Sequence, residues 1–185
     1  LDGEPGFRIP NMFDAAIAGT YKGMYVQGED IAQSDPNTLH VEEALRSLEC
    51  LIVQDLFLNE TARFAHVFLP GTSFLEKDGT FINAERRINR VRPAIKPQQG
   101  MEEWRITAAL SEAMGYKMPY KNASEIMDEI ARLTPTFSGV SFKMLDEKGS
   151  VQWPCNESAP DGTPVMHIGE FVRGKGHFVL TDFVP

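Results

Sequence analysis

Two short apolar runs separated by a helical segment constrain the fold of this chain more than any other feature. The runs are Met24–Val26 and Leu51–Val53, and each ends abruptly in polar residues. Between them, Asp35-Pro36 is a typical helix start. The apolar residues that follow at helical spacing are Val41, Ala44, Leu45 and Leu48. This order predicts a βαβ unit with parallel strands, so we expect an α/β fold with a parallel sheet and flanking helices.

The polar residues that follow the two runs form the candidate binding site, because ligands of open parallel sheets bind outside the carboxyl ends of the strands. Those ends carry Gln27-Gly28-Glu29-Asp30 and Gln54-Asp55. A lone glycine is not the GxGxxG pattern, which argues against ordinary NAD binding. A strand-end carboxylate accepts hydrogen bonds from ribose hydroxyls or from the N–H groups of a guanine edge. Two interpretations stay open: a nucleotide site, or the solvated loop ends of a structural βαβ unit.

Further helices and strands are predicted on either side of the arginine-rich residues 86–92. Residues 57–64 favour a short helix and residues 65–69 a third strand. Asn59 and Thr61 either reach the same ligand as the strand ends or cap this short helix. Amphipathic helices follow at Glu102–Met114 and after Asn122, which is a typical N-cap.

The C-terminal part has a different composition. From Pro135 onward the sequence is rich in glycine and proline, with one further strand predicted at 177–181. We therefore predict an α/β domain at residues 1–134. An irregular C-terminal extension that packs on it occupies residues 135–185.

Charge and cysteine content exclude several classes of function. The formal net charge of −8 disfavours nucleic acid as a partner. No stretch approaches the roughly 18–20 apolar residues of a membrane span. Cys50 lies in an apolar run, where we expect it in the core, and Cys155 lies in a loop-like segment. Neither belongs to a CxxC pair, so we predict no metal or iron–sulfur site. Few cysteines and no signal peptide favour a cytoplasmic location.

Catalytic groups are also scarce. The four histidines show no metal-ligand spacing, and neither a GxSxG elbow nor a P-loop lysine is present. The arginines of residues 86–92 fit either a phosphate or acidic-partner clamp, or a surface facing solvent or another domain. The residues thus predict a binding domain whose chemistry comes from its ligand or from another part of the protein.

Several segments together resemble the molybdopterin oxidoreductases, and most of all the catalytic alpha subunits of formate dehydrogenases. They are Tyr25–Asp30, Ile52–Phe57, Thr61–Pro70 and Gly79–Arg87, with further similarity at 120–126 and 151–155. Such enzymes hold molybdenum or tungsten between two molybdopterin guanine dinucleotides, oxidise formate to carbon dioxide and pass electrons to iron–sulfur clusters. The resemblance therefore implies that residues 1–134 form a Rossmann-like domain with a three-layer parallel sheet that binds one guanosine end. It also favours an interdomain surface for the arginines.

The resemblance also implies a set of cofactor contacts at the two strand ends and just beyond. The implied contacts are Gln27, Gly28, Glu29, Asp30, Gln54, Asp55 and Asn59. Relatives often have threonine at the last of these positions. The metal-binding segment and the four-cysteine iron–sulfur motif have no counterpart in this sequence, so we expect an internal fragment that is inert by itself.

The implied partners are the remaining domains of the alpha subunit and electron-transfer subunits, an NAD-linked one among the alternatives. Two other interpretations stay open. One is a domain of another molybdopterin oxidoreductase, of the nitrate reductase type. The other is a free-standing nucleotide-binding or protein-interaction module.

Overall fold

A computed structural model describes residues 3–98, 100–171, 174–176, 178 and 180. The chain forms two compact units. The first comprises residues 1–78 and 91–119, and the second comprises residues 79–90 and 120–185. Each unit has its own cluster of buried apolar side chains. No helix in the described ranges is long and apolar enough to cross a membrane.

The first unit is built on a three-stranded sheet in the order β1-β2-β3. Both strand pairs are parallel. Its elements are α1 (Ile9–Ile17), β1 (Gly23–Gln27), α2 (Ile31–Ser34), α3 (Thr38–Ser47), β2 (Cys50–Asp55), a 3-10 turn (Thr61–Phe64) and β3 (Val67–Pro70), and later α4 (Glu103–Ala113). The prediction of an α/β fold with a parallel sheet and flanking helices is therefore confirmed.

One face of this sheet carries the core of the first unit. Alternate side chains of a strand share a face, and here the buried ones belong to β1 and β2. The buried strand residues are Met24, Val26, Leu51 and Val53, and they cluster with Phe13 of α1 and with α3. All four apolar positions predicted for α3 are buried, so its predicted face is confirmed.

The helix α3 begins at Thr38 instead of at Pro36. The Asp35 carboxylate accepts a hydrogen bond from the backbone N–H of Asn37 at 3.2 Å. This local bond forms a turn that competes with a helical start.

Two other local predictions for the first unit are wrong. Cys50 is exposed, because it is the first residue of β2 and pairs with the exposed Gly23 at the amino edge of the sheet. The helix predicted over residues 57–64 is reduced to the 3-10 turn at its end.

The second unit contains a sheet in the order β4-β5-β6, with β5 and β6 antiparallel. Its elements are β4 (Gly79–Ile82), β5 (Arg87–Val91), α5 (Ala123–Leu133), a 3-10 turn (Pro135–Phe137), α6 (Phe142–Lys148) and β6 (Ser150–Gln152). The predicted cap of α5 is confirmed, since the Asn122 side chain accepts from the N–H of Glu125 at 3.1 Å.

The C-terminal extension is more regular than predicted. The Ser141 hydroxyl accepts from the N–H of Met144 at 3.1 Å and caps α6, which ends at Gly149 with φ 82°. Leu145 and Val151 are buried in the second cluster, together with Cys155. Helix α5 also belongs to this unit. The domain boundary at residue 134 stays a prediction, and the strand predicted at 177–181 lies largely outside the described residues.

Candidate functional site

The carboxyl ends of β1 and β2 lie side by side. Gln27 is in register with Gln54, and Asp55 is in register with Pro70 of β3. Beyond the last paired residues, the N–H of Gly28 donates to the carbonyl oxygen of Gln54 at 2.8 Å. The structure therefore brings the two predicted polar segments together at one edge of the sheet.

Gly28 turns the chain at the end of β1 and leaves space in front of it. Its φ is +65°, in the left-handed region that favours glycine. A Cβ placed on it would meet no atom within 4 Å. The backbone conformation thus favours glycine, and no protein atom fills the space beside it.

Gln54 is a buried polar residue with one unsatisfied group. It is 0% exposed, and its Oε1 accepts a hydrogen bond from the Tyr25 hydroxyl. Its Nε2 is buried and has no hydrogen-bond partner. A buried donor without an acceptor costs about 1–3 kcal/mol and calls for an explanation such as a bound ligand or water. Tyr25 was not predicted as a site residue, since a single tyrosine in an apolar strand gives no signal.

Asp55 and Asn59 are linked to each other. One Asp55 carboxylate oxygen accepts from the N–H of Leu56 at 2.6 Å, and the other accepts from the Asn59 side chain at 3.0 Å. Asn59 Oδ1 accepts from the N–H of Ala62 at 2.9 Å and caps the 3-10 turn. Each oxygen of a carboxylate accepts about two hydrogen bonds, so Asp55 keeps acceptor capacity for a ligand.

Asp30 is bonded to the segment that follows β2. Its oxygens accept from the hydroxyl and the N–H of Thr61, at 2.6 and 2.9 Å, and from the N–H of Glu60 at 3.3 Å. Burial alone would raise the pKa of Asp30, but these three hydrogen bonds outweigh it and lower the pKa below its ordinary value. The neighbouring Glu29 is exposed and accepts from the Ser34 hydroxyl at 3.2 Å.

Two arginines of residues 86–92, Arg86 and Arg90, have their partners inside the second unit. Arg86 donates to the carbonyl oxygens of Trp153, Thr163 and Pro164. The Arg90 side chain is 8% exposed and forms an ion pair with Asp146 at 3.1 Å. Neither interpretation from the sequence anticipated this internal role, which speaks against a phosphate clamp.

In the described part of the chain, no group of three or more histidine, cysteine, aspartate and glutamate side chains is placed to hold a metal ion. The acidic residues at the strand ends instead accept hydrogen bonds from backbone and side-chain donors. Their arrangement suits an organic ligand with N–H or O–H donors.

Comparison with protein families gives one match, to a family described as Molybdopterin oxidoreductase, over residues 3–113. The matched range contains both polar segments of the site. A solved structure with a similar fold is acetylene hydratase from Pelobacter acetylenicus, with a TM-score of 0.62 and 17% identity. The similarity covers 82% of this chain and 22% of that one, and it shows a shared fold.

Several curated proteins are similar over nearly the whole chain. The alpha subunit of F420-dependent formate dehydrogenase from Methanocaldococcus jannaschii is 40% identical over 95% of this chain and 26% of its own length. A second such subunit, from Methanococcus maripaludis, is 44% identical over 99% of this chain and 28% of its own length. A putative formate dehydrogenase of Staphylococcus haemolyticus is 42% identical over 97% of this chain and 18% of its own length. The chain thus spans about a quarter of the length of the first two relatives.

Proposed function

The chain belongs to the molybdopterin oxidoreductase family, and from this premise we propose that its parallel sheet binds the guanosine end of a molybdopterin guanine dinucleotide. The observation that carries the proposal is the Asp55 carboxylate with lone pairs left for a ligand, at the end of β2 and next to the turn at Gly28. Both lie at the sheet edge where such folds bind their ligands. The proposed contacts are those of the two strand ends, Gln27, Gly28, Glu29, Gln54 and Asp55.

A guanine base matches the hydrogen-bonding groups at this edge. It carries the O6 acceptor and, next to it, the N1–H and N2–H₂ donors. Asp55 is an acceptor only and has lone pairs left for these two adjacent donors. Adenine presents one N–H₂ donor beside an acceptor on the same edge, so the Asp55 carboxylate favours guanine.

The charges at the edge favour the nucleoside over its phosphates. Glu29 and Asp30 follow β1, and Asp55 ends β2. Carboxylates at short range repel a pyrophosphate and attract N–H and O–H donors. The chain would therefore hold the base and the ribose, and the pterin would extend away from these carboxylates.

We also propose that the complete protein is the alpha subunit of a formate dehydrogenase, as the names of its relatives suggest. The metal–pterin cofactor would supply the redox chemistry for oxidising formate to carbon dioxide, a proton and two electrons. Molybdenum and tungsten both suit this role. Iron–sulfur clusters and electron-transfer subunits would take the electrons, and the two cysteines are consistent with a cytoplasmic location. Residues 1–185 alone would then not oxidise formate in the presence of a dye acceptor.

The role of Asp55 is tested by its removal from the complete subunit. Asp55→Ala should lower the guanine bound per subunit several-fold, measured as GMP after acid hydrolysis. The matched control is Asp128→Ala, which removes an exposed carboxylate from α5 and should leave the guanine content unchanged. Full guanine content in Asp55→Ala would refute the proposed site.

A second experiment separates this function from that of an interaction module. The 185-residue chain is titrated with GMP, and with AMP as a control, while backbone amide chemical shifts are recorded. We expect GMP to shift the signals of Gly28 and Asp55 more than AMP does. Shifts confined to other regions would instead support a protein-interaction module.

A further inference from the structure

A buried threonine joins the two loops at the edge of the parallel sheet. Thr61 is 0% exposed. Its hydroxyl donates to Asp30 at 2.6 Å and accepts from the N–H of Ala32 at 3.0 Å. Its own N–H donates to the same carboxylate at 2.9 Å. We call this pair of residues, Asp30 and Thr61, the loop clamp.

The loop clamp connects segments that are distant in sequence. Asp30 and Thr61 are 31 positions apart. Asp30 ends the loop after β1, which contains Gly28, and Thr61 directly follows the loop after β2, which comprises residues 56–60. The clamp therefore sets the spacing between the two loops that carry the proposed guanosine contacts.

The loop after β2 is also stabilised by hydrogen bonds among its own and neighbouring residues. Asn59 bridges the Asp55 carboxylate and the N–H of Ala62, at 3.0 and 2.9 Å. Ala62 follows Thr61 directly, so the clamp and this bridge meet at the start of the 3-10 turn. Hydrogen bonds thus connect the loop after β1 to Thr61, and a second set connects the adjacent Ala62 through Asn59 to the strand-end Asp55.

We propose that Asp30 and Thr61 are positioning residues of the guanosine site, an inference that rests on the function proposed above. Thr61 is buried, and its hydroxyl both donates and accepts within the chain. One oxygen of Asp30 already accepts two bonds from Thr61, and the other accepts from Glu60. These groups hold the two loops in place before the ligand arrives, and the ligand itself contacts the strand ends.

Such preorganisation acts on affinity through the entropy of the loops. A loop that is ordered in the free protein loses less conformational freedom on binding. Without the clamp, residues 56–60 would sample more conformations and would have to be ordered by the ligand. We expect this to weaken guanosine retention about tenfold, which corresponds to about 1.4 kcal/mol.

The experiment uses the complete cofactor-loaded subunit and two variants of Thr61. Thr61→Val keeps the shape and removes the hydroxyl, whereas Thr61→Ser keeps the hydroxyl. One readout is hydrogen exchange of the backbone amides of residues 56–62, and the other is the guanine retained per subunit after a fixed period of dilution. We expect Thr61→Val to accelerate both exchange and guanine loss, and Thr61→Ser to behave as the wild type. Asp55→Ala is measured in parallel as the test of the proposed function.

The outcomes separate the two proposals. Faster guanine loss in Thr61→Val with unchanged exchange would indicate direct contact and overturn the positioning role. Faster exchange with unchanged guanine loss would overturn it as well, and so would no change in either. If Asp55→Ala retains guanine fully, the proposed function fails and the positioning role fails with it. If Thr61→Val does not fold, Asp30→Asn decides by the same two readouts, since it keeps the size of the side chain and removes its charge.

Discussion

Replacing Gly28 with alanine tests the backbone conformation on which the site depends. The φ of +65° places Gly28 in the left-handed region, where an L-residue with a Cβ is strained by about 1–2 kcal/mol. The added Cβ meets no atom within 4 Å, so no clash adds to this strain. Alanine also restricts the unfolded chain, which stabilises the protein by about 0.4–1 kcal/mol. We therefore expect Gly28→Ala to lower the free energy of unfolding by about 0.5–1 kcal/mol.

Gly23→Ala is the matched control, because Gly23 opens the same strand that Gly28 follows. Gly23 has no positive φ, and its Cβ would lie 3.8 Å from the carbonyl oxygen of Cys50, an ordinary contact. This variant gains the unfolded-state effect without the strain and should be as stable as the wild type or slightly more stable. Urea unfolding followed by circular dichroism measures both variants. Equal stabilities of Gly28→Ala and Gly23→Ala would refute the reasoning.

Three further predictions concern stability and reactivity. Gly100→Ala should lower the free energy of unfolding in urea by about 2–4 kcal/mol, more than Gly28→Ala does, because its Cβ would clash with the Pro70 carbonyl oxygen at a φ of +76°. A smaller loss than that of Gly28→Ala would contradict this. Cys50 is exposed, whereas Cys155 is buried and burial raises the pKa of its thiol. A thiol reagent should therefore modify Cys50 first and Cys155 only on unfolding. Equal modification rates of the two cysteines in the folded chain would refute this. Burial raises the pKa of Asp30, but the hydrogen bonds from Thr61 and Glu60 outweigh it and lower the pKa. The contribution of Asp30 to stability is therefore present above its unfolded pKa and is lost as the pH falls through its folded pKa. The difference in unfolding free energy between the wild type and Asp30→Asn should shrink from about pH 5 to about pH 3, and a difference that stays constant would contradict this.

Local periodicity predicted the parts of the fold that depend on neighbouring residues. The buried face of α3, including Val41 and Leu45, follows from helical spacing alone. Helix α6 was missed although Ser141 and Gly149 are readable start and stop signals, because the glycine and proline content of the surrounding segment obscured them. The exposure of Cys50 depends on where β2 enters the sheet, which no local pattern contains.

The candidate site was predictable in its location but less so in its internal bonds. Strand-end polarity pointed to Gly28 and Asp55, and the parallel register brings their segments together. The bond from Tyr25 to Gln54 spans 29 positions and the Asp30–Thr61 pair spans 31. Such pairs arise from the tertiary fold and leave no periodic trace in the sequence. The cofactor contacts of Asp30 and Asn59 stay predictions, and both side chains also have partners within the chain.

An experimental structure of the complete cofactor-loaded subunit tests the central proposal most directly. The quantity to measure is the distance from the guanine edge to the Asp55 carboxylate. We predict the N1–H and N2–H₂ donors of the base within about 3.2 Å of the Asp55 oxygens. A guanosine bound away from the carboxyl ends of β1 and β2 would contradict the proposed function.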